Sequence, residues 1–227
     1  MDSSDLFAIC FIVGIIAIVV ISSIIESKKA KARAEAIKKY CFSNGLTYRE
    51  GSDIIPCGGS FKITERGYGQ RYRNIVIGKN GETKFTICDF IYETGSGKSH
   101  HIYHNTIVSL MNPHANIAPF FCRDENVIFD TLGKLFGGQD INFDEDKEFS
   151  KKFVLQSRIE QAARRMFNSK VRKAFVSNHV SGYEYEGSND TFIICCNRFL
   201  EIPERNQFLM KAIKIFQAMC NNQEFLS

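Results

Sequence analysis

RNIVIGKNGETKFTICDFIYE, residues 73–93, is two apolar, β-branched runs joined by Asn80-Gly81. Asn-Gly between such runs is a strong hairpin signal, because both residues accept the positive φ that a tight turn needs. Arg73–Lys79 is therefore read as one strand and Thr83–Glu93 as its return. A second turn, Thr94-Gly95-Ser96-Gly97-Lys98, leads to His101–Met111 (HIYHNTIVSLM). Together these predict a three-stranded antiparallel meander. Ile117–Cys122 (IAPFFC) is expected to add a short edge strand, since Pro119 has no N–H to give to a ladder.

Toward the N-terminus, Leu46–Arg66 is weakly patterned and punctuated by Gly51, Pro56, Gly58 and Gly59. Before it, Glu26–Asn44 (ESKKAKARAEAIKKYCFSN) is rich in good helix formers and stops at Asn44-Gly45. Ala34, Ile37, Tyr40 and Cys41 give it a thin apolar stripe, as expected of a juxtamembrane stalk that partly packs on a domain. Before that, Leu6–Ile25 (LFAICFIVGIIAIVVISSII) carries no charge. At about 1.5 Å per residue, such a helix matches the roughly 30 Å hydrocarbon core of a bilayer. A cleaved signal peptide would have basic residues before the core and small residues at a cleavage site after it. Here Asp2 and Asp5 precede the core, and Glu26, Lys28 and Lys29 follow it.

Lys28, Lys29, Lys31, Arg33, Lys38 and Lys39 all follow the span, and none precedes it. The positive-inside rule then expects the N-terminus outside and residues 26–227 in the cytoplasm, on a single-pass protein of the inner (plasma) membrane. The span lacks GxxxG and ionisable side chains, so it reads as a tether, not as a dimerisation face or a transport path. The basic stalk can meet anionic headgroups, although such charges also serve simply to orient the span.

Toward the C-terminus, Asn126–Phe136 is expected as a short helix and Phe149–Gln156 (FSKKFVLQ) as a strand. Arg158–Val176 reads as one amphipathic helix, with Ile159, Ala163, Met166, Phe167, Val171 and Phe175 on a common face. Gly182–Gly187 and Thr191–Cys196 form a hairpin, and Glu201–Asn221 the last helix, with Pro203 in its first turn. The expected fold class is thus α+β: an N-terminal transmembrane helix and helical stalk, then an antiparallel β-meander followed by a β-α-β-β-α unit. The expected division is a short external segment 1–5, a span 6–25, a basic helix 26–45, a β-rich subdomain 46–145 and an α+β subdomain 146–227.

The net charge of +4 is mild for 227 residues, and no nucleic-acid partner is expected. The basic positions between Arg164 and Lys173 fit a solvated helix face. The eight cysteines include no C-x-x-C pair, and in a reducing cytoplasm they act as small apolar residues. Twenty phenylalanines and no tryptophan point to a phenylalanine core.

Three segments look like chemistry and fail on counting. Gly95-Ser96-Gly97-Lys98-Ser99 resembles the end of a P-loop, but the required first glycine falls on Tyr92, and His100–Leu110 is strand-like where a helix is needed. Asp140-Ile141-Asn142-Phe143-Asp144 resembles the opening of an EF-hand, yet its sixth and twelfth positions hold Glu145 and Lys151. His100 and His104 on one strand face sit about 13 Å apart, too far to share a metal ion. No catalytic, cofactor-binding or metal-binding residue is therefore assigned, and no cofactor is expected.

Cys88-Asp89-Phe90-Ile91-Tyr92-Glu93-Thr94-Gly95-Ser96-Gly97-Lys98 resembles the F-D-Y-x-Y-x-T-G-S-G-K segment of a group of uncharacterised bacterial single-pass membrane proteins. It departs at Cys88 and Phe90. Similar stretches are Pro119–Asn126, and Asp140–Phe143 leading to Phe149–Phe153. The resemblance implies an N-terminal span, a basic stalk and no assigned activity. The resulting expectation is a membrane-anchored binding or scaffolding module whose protein partner is unknown. The alternative is an enzyme whose site is assembled from non-local residues near the 89–104 hairpin, with Asp89, Lys98 and the histidines first among them.

Overall fold

The computed structural model describes residues 3–52, 59–125 and 140–221, with side chains from residue 11 onward. One uninterrupted helix, α1 (Ser3–Ser43), carries the apolar run and the basic stalk together. It is long and apolar enough to cross a membrane. From Phe11 to Ile25 its large apolar side chains are exposed, Phe11 at 65% and Ile18 at 66%. Such a surface is stable in hydrocarbon and costly in water. The helix therefore fits a membrane anchor. Gly45, with φ of 64°, stops it, and the Leu46 N–H donates to the Cys41 carbonyl at 2.9 Å as the chain reverses.

The strands are β1 (Thr47–Ser52), β2 (Tyr68–Asn80), β3 (Thr83–Thr94), β4 (His101–Met111), β5 (Ile117–Asp124), β6 (Phe153–Gln156), β7 (Tyr183–Asn189) and β8 (Thr191–Cys196). The remaining helices are α2 (Lys147–Lys152), α3 (Glu160–Met166), α4 (Ser169–Ser177) and α5 (Ile202–Cys220). The strands form one antiparallel sheet in the order β1-β2-β3-β4-β8-β7-β5-β6. The meander predicted around Asn80-Gly81 is present, with Lys79 opposite Lys84 and Asn80 opposite Thr83. The pairing of β4 with β8 continues the sheet across the boundary expected at residue 145, so residues 46–145 and 146–227 share a single sheet.

Side chains alternate between two faces. Phe85, Ile87, Val108, Leu110, Phe120, Phe153, Phe192 and Ile194 point to the helix face, where α1, α4 and α5 cover them. Phe175 is the hub there, its ring centroid 5.1 Å from that of Phe167 and 5.8 Å from that of Phe153. Cys88, Phe90, Tyr92, Ile107, Ile193 and Cys195 point to the opposite face, which buries Phe61 and Ile63 of the segment before β2.

Three expectations need correction. Phe149–Gln156 is not one strand: α2 fills 147–152, and only 153–156 pairs. The Asp146 side chain accepts the Phe149 N–H at 3.1 Å and so starts a helix where the apolar pattern reads as extended. The helix expected over 158–176 is two, because the Asn168 side chain caps α4 by accepting from the Lys170 and Val171 N–H groups. β5 is not an edge strand but lies between β7 and β6; Pro119 is accommodated at a register shift between Ile117 and Phe120. The helix expected at Asn126–Phe136 lies outside the described residues.

Candidate functional site

The most heavily connected polar group on the helix face is Asp89, in the middle of β3 and 1% exposed. A lone carboxylate there would be very costly, so its partners decide what it does. Arg33 of α1 donates to both of its oxygens, Nε to Oδ2 at 3.1 Å and Nη2 to Oδ1 at 3.2 Å. Arg205 of α5, itself 4% exposed, donates Nη2 to Oδ1. Asn74 of β2 donates Nδ2 to Oδ2 at 2.7 Å.

Each donor is placed by a local feature. Asn74 has φ of +50° and sits in a bulge between the Arg73 and Val76 registers, which turns its amide onto Asp89. Its own Oδ1 accepts from the Tyr48 hydroxyl of β1 at 3.1 Å. Arg205 stands in the first turns of α5, whose start is fixed by the Glu201 N–H donating to Glu204 at 3.0 Å and by Pro203. Arg33 is the first stalk residue of α1 to meet the domain, since residues 11–32 are all exposed.

The loop between β8 and α5 closes the site. The Leu200 carbonyl accepts from Arg33 Nη2 at 2.6 Å and from Arg205 Nε at 3.1 Å. The Leu200 N–H in turn donates to the Thr106 hydroxyl of β4 at 2.9 Å. Arg33 also donates to Glu201 at 2.9 Å and lies over the Phe199 ring, 5.3 Å from its centroid. Two arginines against Asp89 and Glu201 leave the cluster balanced. Burial pulls the Arg205 guanidinium below its ordinary value, and Asp89 counters this.

Chemically, this is a junction. Both Asp89 oxygens are occupied by donors from α1, α5 and β2, so the carboxylate is committed to holding elements together. The stalk and α5 also enclose a cleft of about 30 Å³ lined by Ile37, Tyr40, Leu46 and Leu209, room for about one water. A larger groove of about 440 Å³ lies elsewhere, among Glu145, Asp146, Ser169, Arg172 and Lys173. There Arg172 is already held by Asp146 at 2.9 Å and by Glu145 at 3.2 Å.

The residues singled out around the 89–104 hairpin are not gathered into one site. Lys98 and the two glycines before it, Gly95 and Gly97, lie in the exposed β3–β4 turn, which continues into a strand. His100 pairs with Glu93 at 2.9 Å, His104 packs edge-on against Phe199, and His101 is exposed. Asp140 accepts from Gln156 at 2.9 Å, and Asp146 caps α2. Among the described residues, no group of three or more His, Cys, Asp or Glu side chains is arranged to hold a metal ion. Sequence reasoning named Asp89 but not Arg33 or Arg205 as its partners.

No protein-family model matches the sequence, and no curated protein matches it by sequence. One solved structure does resemble the fold: the crystal structure of the mycobacterial trehalose monomycolate transport factor A, TtfA. The TM-score is 0.60, at 10% identity, over 84% of this chain and 94% of that one. At that identity the likeness concerns the fold alone.

Proposed function

We propose that this chain is a membrane-tethered binding or scaffolding module whose domain is locked to its anchor. The observation that carries this reading is the Arg33–Asp89–Arg205 junction. A flexible stalk would suffice to localise a domain. Here a stalk residue is instead seated on the buried centre of the sheet, so the anchor sets the domain's orientation at the bilayer. A fixed orientation serves a surface that must meet a partner in the same membrane. The positive flank of the span supports a cytoplasmic domain and an external N-terminus at the inner membrane of a bacterium. The resemblance of residues 88–98 to the bacterial single-pass group agrees with that reading.

The fold neighbour is a transport factor for trehalose monomycolate, a lipid. That supports a more specific version, in which this module is an accessory of a lipid-transport assembly.

Two experiments test the reading. A reporter fused after Ser227 is expected to be active in the cytoplasm; activity only outside overturns the topology. Photo-crosslinkers at exposed domain positions, in cells, are expected to give a discrete adduct with another membrane protein in the native chain. That adduct should weaken in Arg33→Ala at equal protein level. Absence of any protein adduct across the domain surface contradicts the scaffolding reading.

A further inference from the structure

The direction of the strands follows from the junction. Along α1, Arg33 meets Asp89, while Ile37 and Tyr40 share a cleft with Val76, Phe85 and Ile87. β3 therefore runs back along α1 toward the membrane span, and the β3–β4 turn lies on the span's side of the domain. Arg33 is eight residues beyond Ile25, about 12 Å of helix. Thr94 is five residues beyond Asp89, about 17 Å of strand. An upright α1 thus brings the turn level with the end of the apolar run.

The same turn region projects. β8 pairs with β4 only from Thr106 to Met111, so His101–Asn105 extend past it with β3 as their only ladder partner among the described strands. The first four residues of β4 are exposed. Three of the domain's exposed large apolar or aromatic side chains gather here: Ile102 at 50%, Tyr68 at 48% and Tyr103 at 38%. Ile102 and Tyr68 both align with Glu93, on neighbouring strands. Tyr103 stacks on Tyr92, 4.8 Å between centroids. The tip is rigid in design: Gly95 has φ of +71°, and a Cβ there would fall 2.1 Å from the Ser99 carbonyl oxygen. Around these residues the free charge is positive. Lys98 is exposed, and the acid beside it, Glu93, is held by Arg71 at 2.6 Å and His100 at 2.9 Å.

Tyrosines with an aliphatic residue and a lysine, at the height of the headgroups, match what a bilayer interface retains. We infer that the β3–β4 arm is a second membrane contact. Ile102, Tyr68 and Tyr103 rest in the interface of the same bilayer that α1 crosses, and Lys98 faces its phosphates. The arm and the span then hold the domain at two points. This contact depends on α1 spanning the bilayer and holds for either orientation of the chain, so it stands or falls apart from the scaffolding reading.

The test uses the full chain in nanodiscs of phosphatidylcholine and phosphatidylglycerol. A fluorescent amino acid replaces Ile102 in one sample, Glu82 in the opposite β2–β3 turn in a second, and Ile18 in the span in a third. Lipids carrying a quencher near the headgroup should quench position 102 severalfold more than position 82. Quenching at 18 shows that the span is inserted. With the span inserted, equal quenching at 102 and 82 overturns the inference, as it would if a protein were the true occupant of the arm. The exposed Ile102→Ser, with the probe at Tyr68, should lower quenching at 68 without lowering the domain's melting temperature; unchanged quenching there also counts against it.

Discussion

The two faces of the sheet each bury a carboxylate against an arginine, and they use the pair differently. On the helix face, Asp89 joins Arg33 and Arg205, which lie 56 and 116 residues away in sequence. On the other face, Glu184 of β7 takes Arg66 at 2.6 Å, and its neighbour Glu186 accepts the Lys62 and Ile63 N–H groups at 3.0 and 2.9 Å. The second arrangement fastens one strap, residues 60–66, over Phe90 and Tyr92. The first ties the membrane helix, the last helix and two strands to one point. Similar chemistry closes a lid on one side and couples the anchor to the fold on the other.

The largest effect is expected from Asp89→Ala. It strands Arg205, which is buried, and releases Arg33 together. Removing one member of a buried ion pair costs about 3–5 kcal/mol, and the loss should appear in urea unfolding of the full chain in micelles. On the strap face, Glu184→Leu should come close to that loss, because it leaves Arg66 buried without its carboxylate. Adding Arg66→Met should recover most of it, since a well-packed apolar pair can replace a buried ion pair at little net cost, about 1 kcal/mol or less. If the same rescue worked at Asp89 with Arg205→Met alone, the two faces would be equivalent and the comparison would fail.

Arg33→Ala is expected to be milder, because Arg205 and Asn74 still serve Asp89. The expected loss is about 1.5–3 kcal/mol in all, the worth of one charge-assisted hydrogen bond, because Arg33 is part-exposed and its Glu201 partner is solvated. The expected signature is local: faster amide exchange over residues 33–41 of α1, with little change in β7 and β8.

How much of this was legible in the sequence follows from the range of each interaction. The span, the stalk, the 73–111 meander and α5 are written in local periodicity and in Asn80-Gly81, so they are read directly. The α2–β6 break and the α3–α4 break turn on Asp146 and Asn168, capping residues whose signal is a single side chain inside an apolar pattern. Pro119 signals a fault in a ladder, but a bulge inside a sheet and an edge satisfy it equally. The Asp89 junction has no local signature at all. Its arginines come from a stalk whose charges already have an explanation in membrane topology, and from the buried face of a helix. Arg205 alone offered a hint, as a charge among the apolar positions of α5.

The smallest expected effect concerns pH. Arg198 holds the exposed Glu204 carboxyl down from its ordinary 4.5 to about 2, beside the start of α5. A depressed acid stabilises the fold above its unfolded value and loses that contribution as pH falls through the folded one. Glu204→Gln should therefore flatten the stability profile between about pH 4.5 and 2, measured by thermal melts across that range. An unchanged acid limb would mean that the pair does not anchor α5.

The direct test of the coupling is a double-mutant cycle between the anchor and the sheet. Arg33→Met, Asp89→Asn and their combination are compared with the native chain by urea unfolding in micelles. A coupling energy of about 1.5–3 kcal/mol is predicted for this charge-assisted contact. Effects that add to within about 0.5 kcal/mol would show that the Arg33–Asp89 contact does not couple the membrane helix to the sheet, contradicting the account.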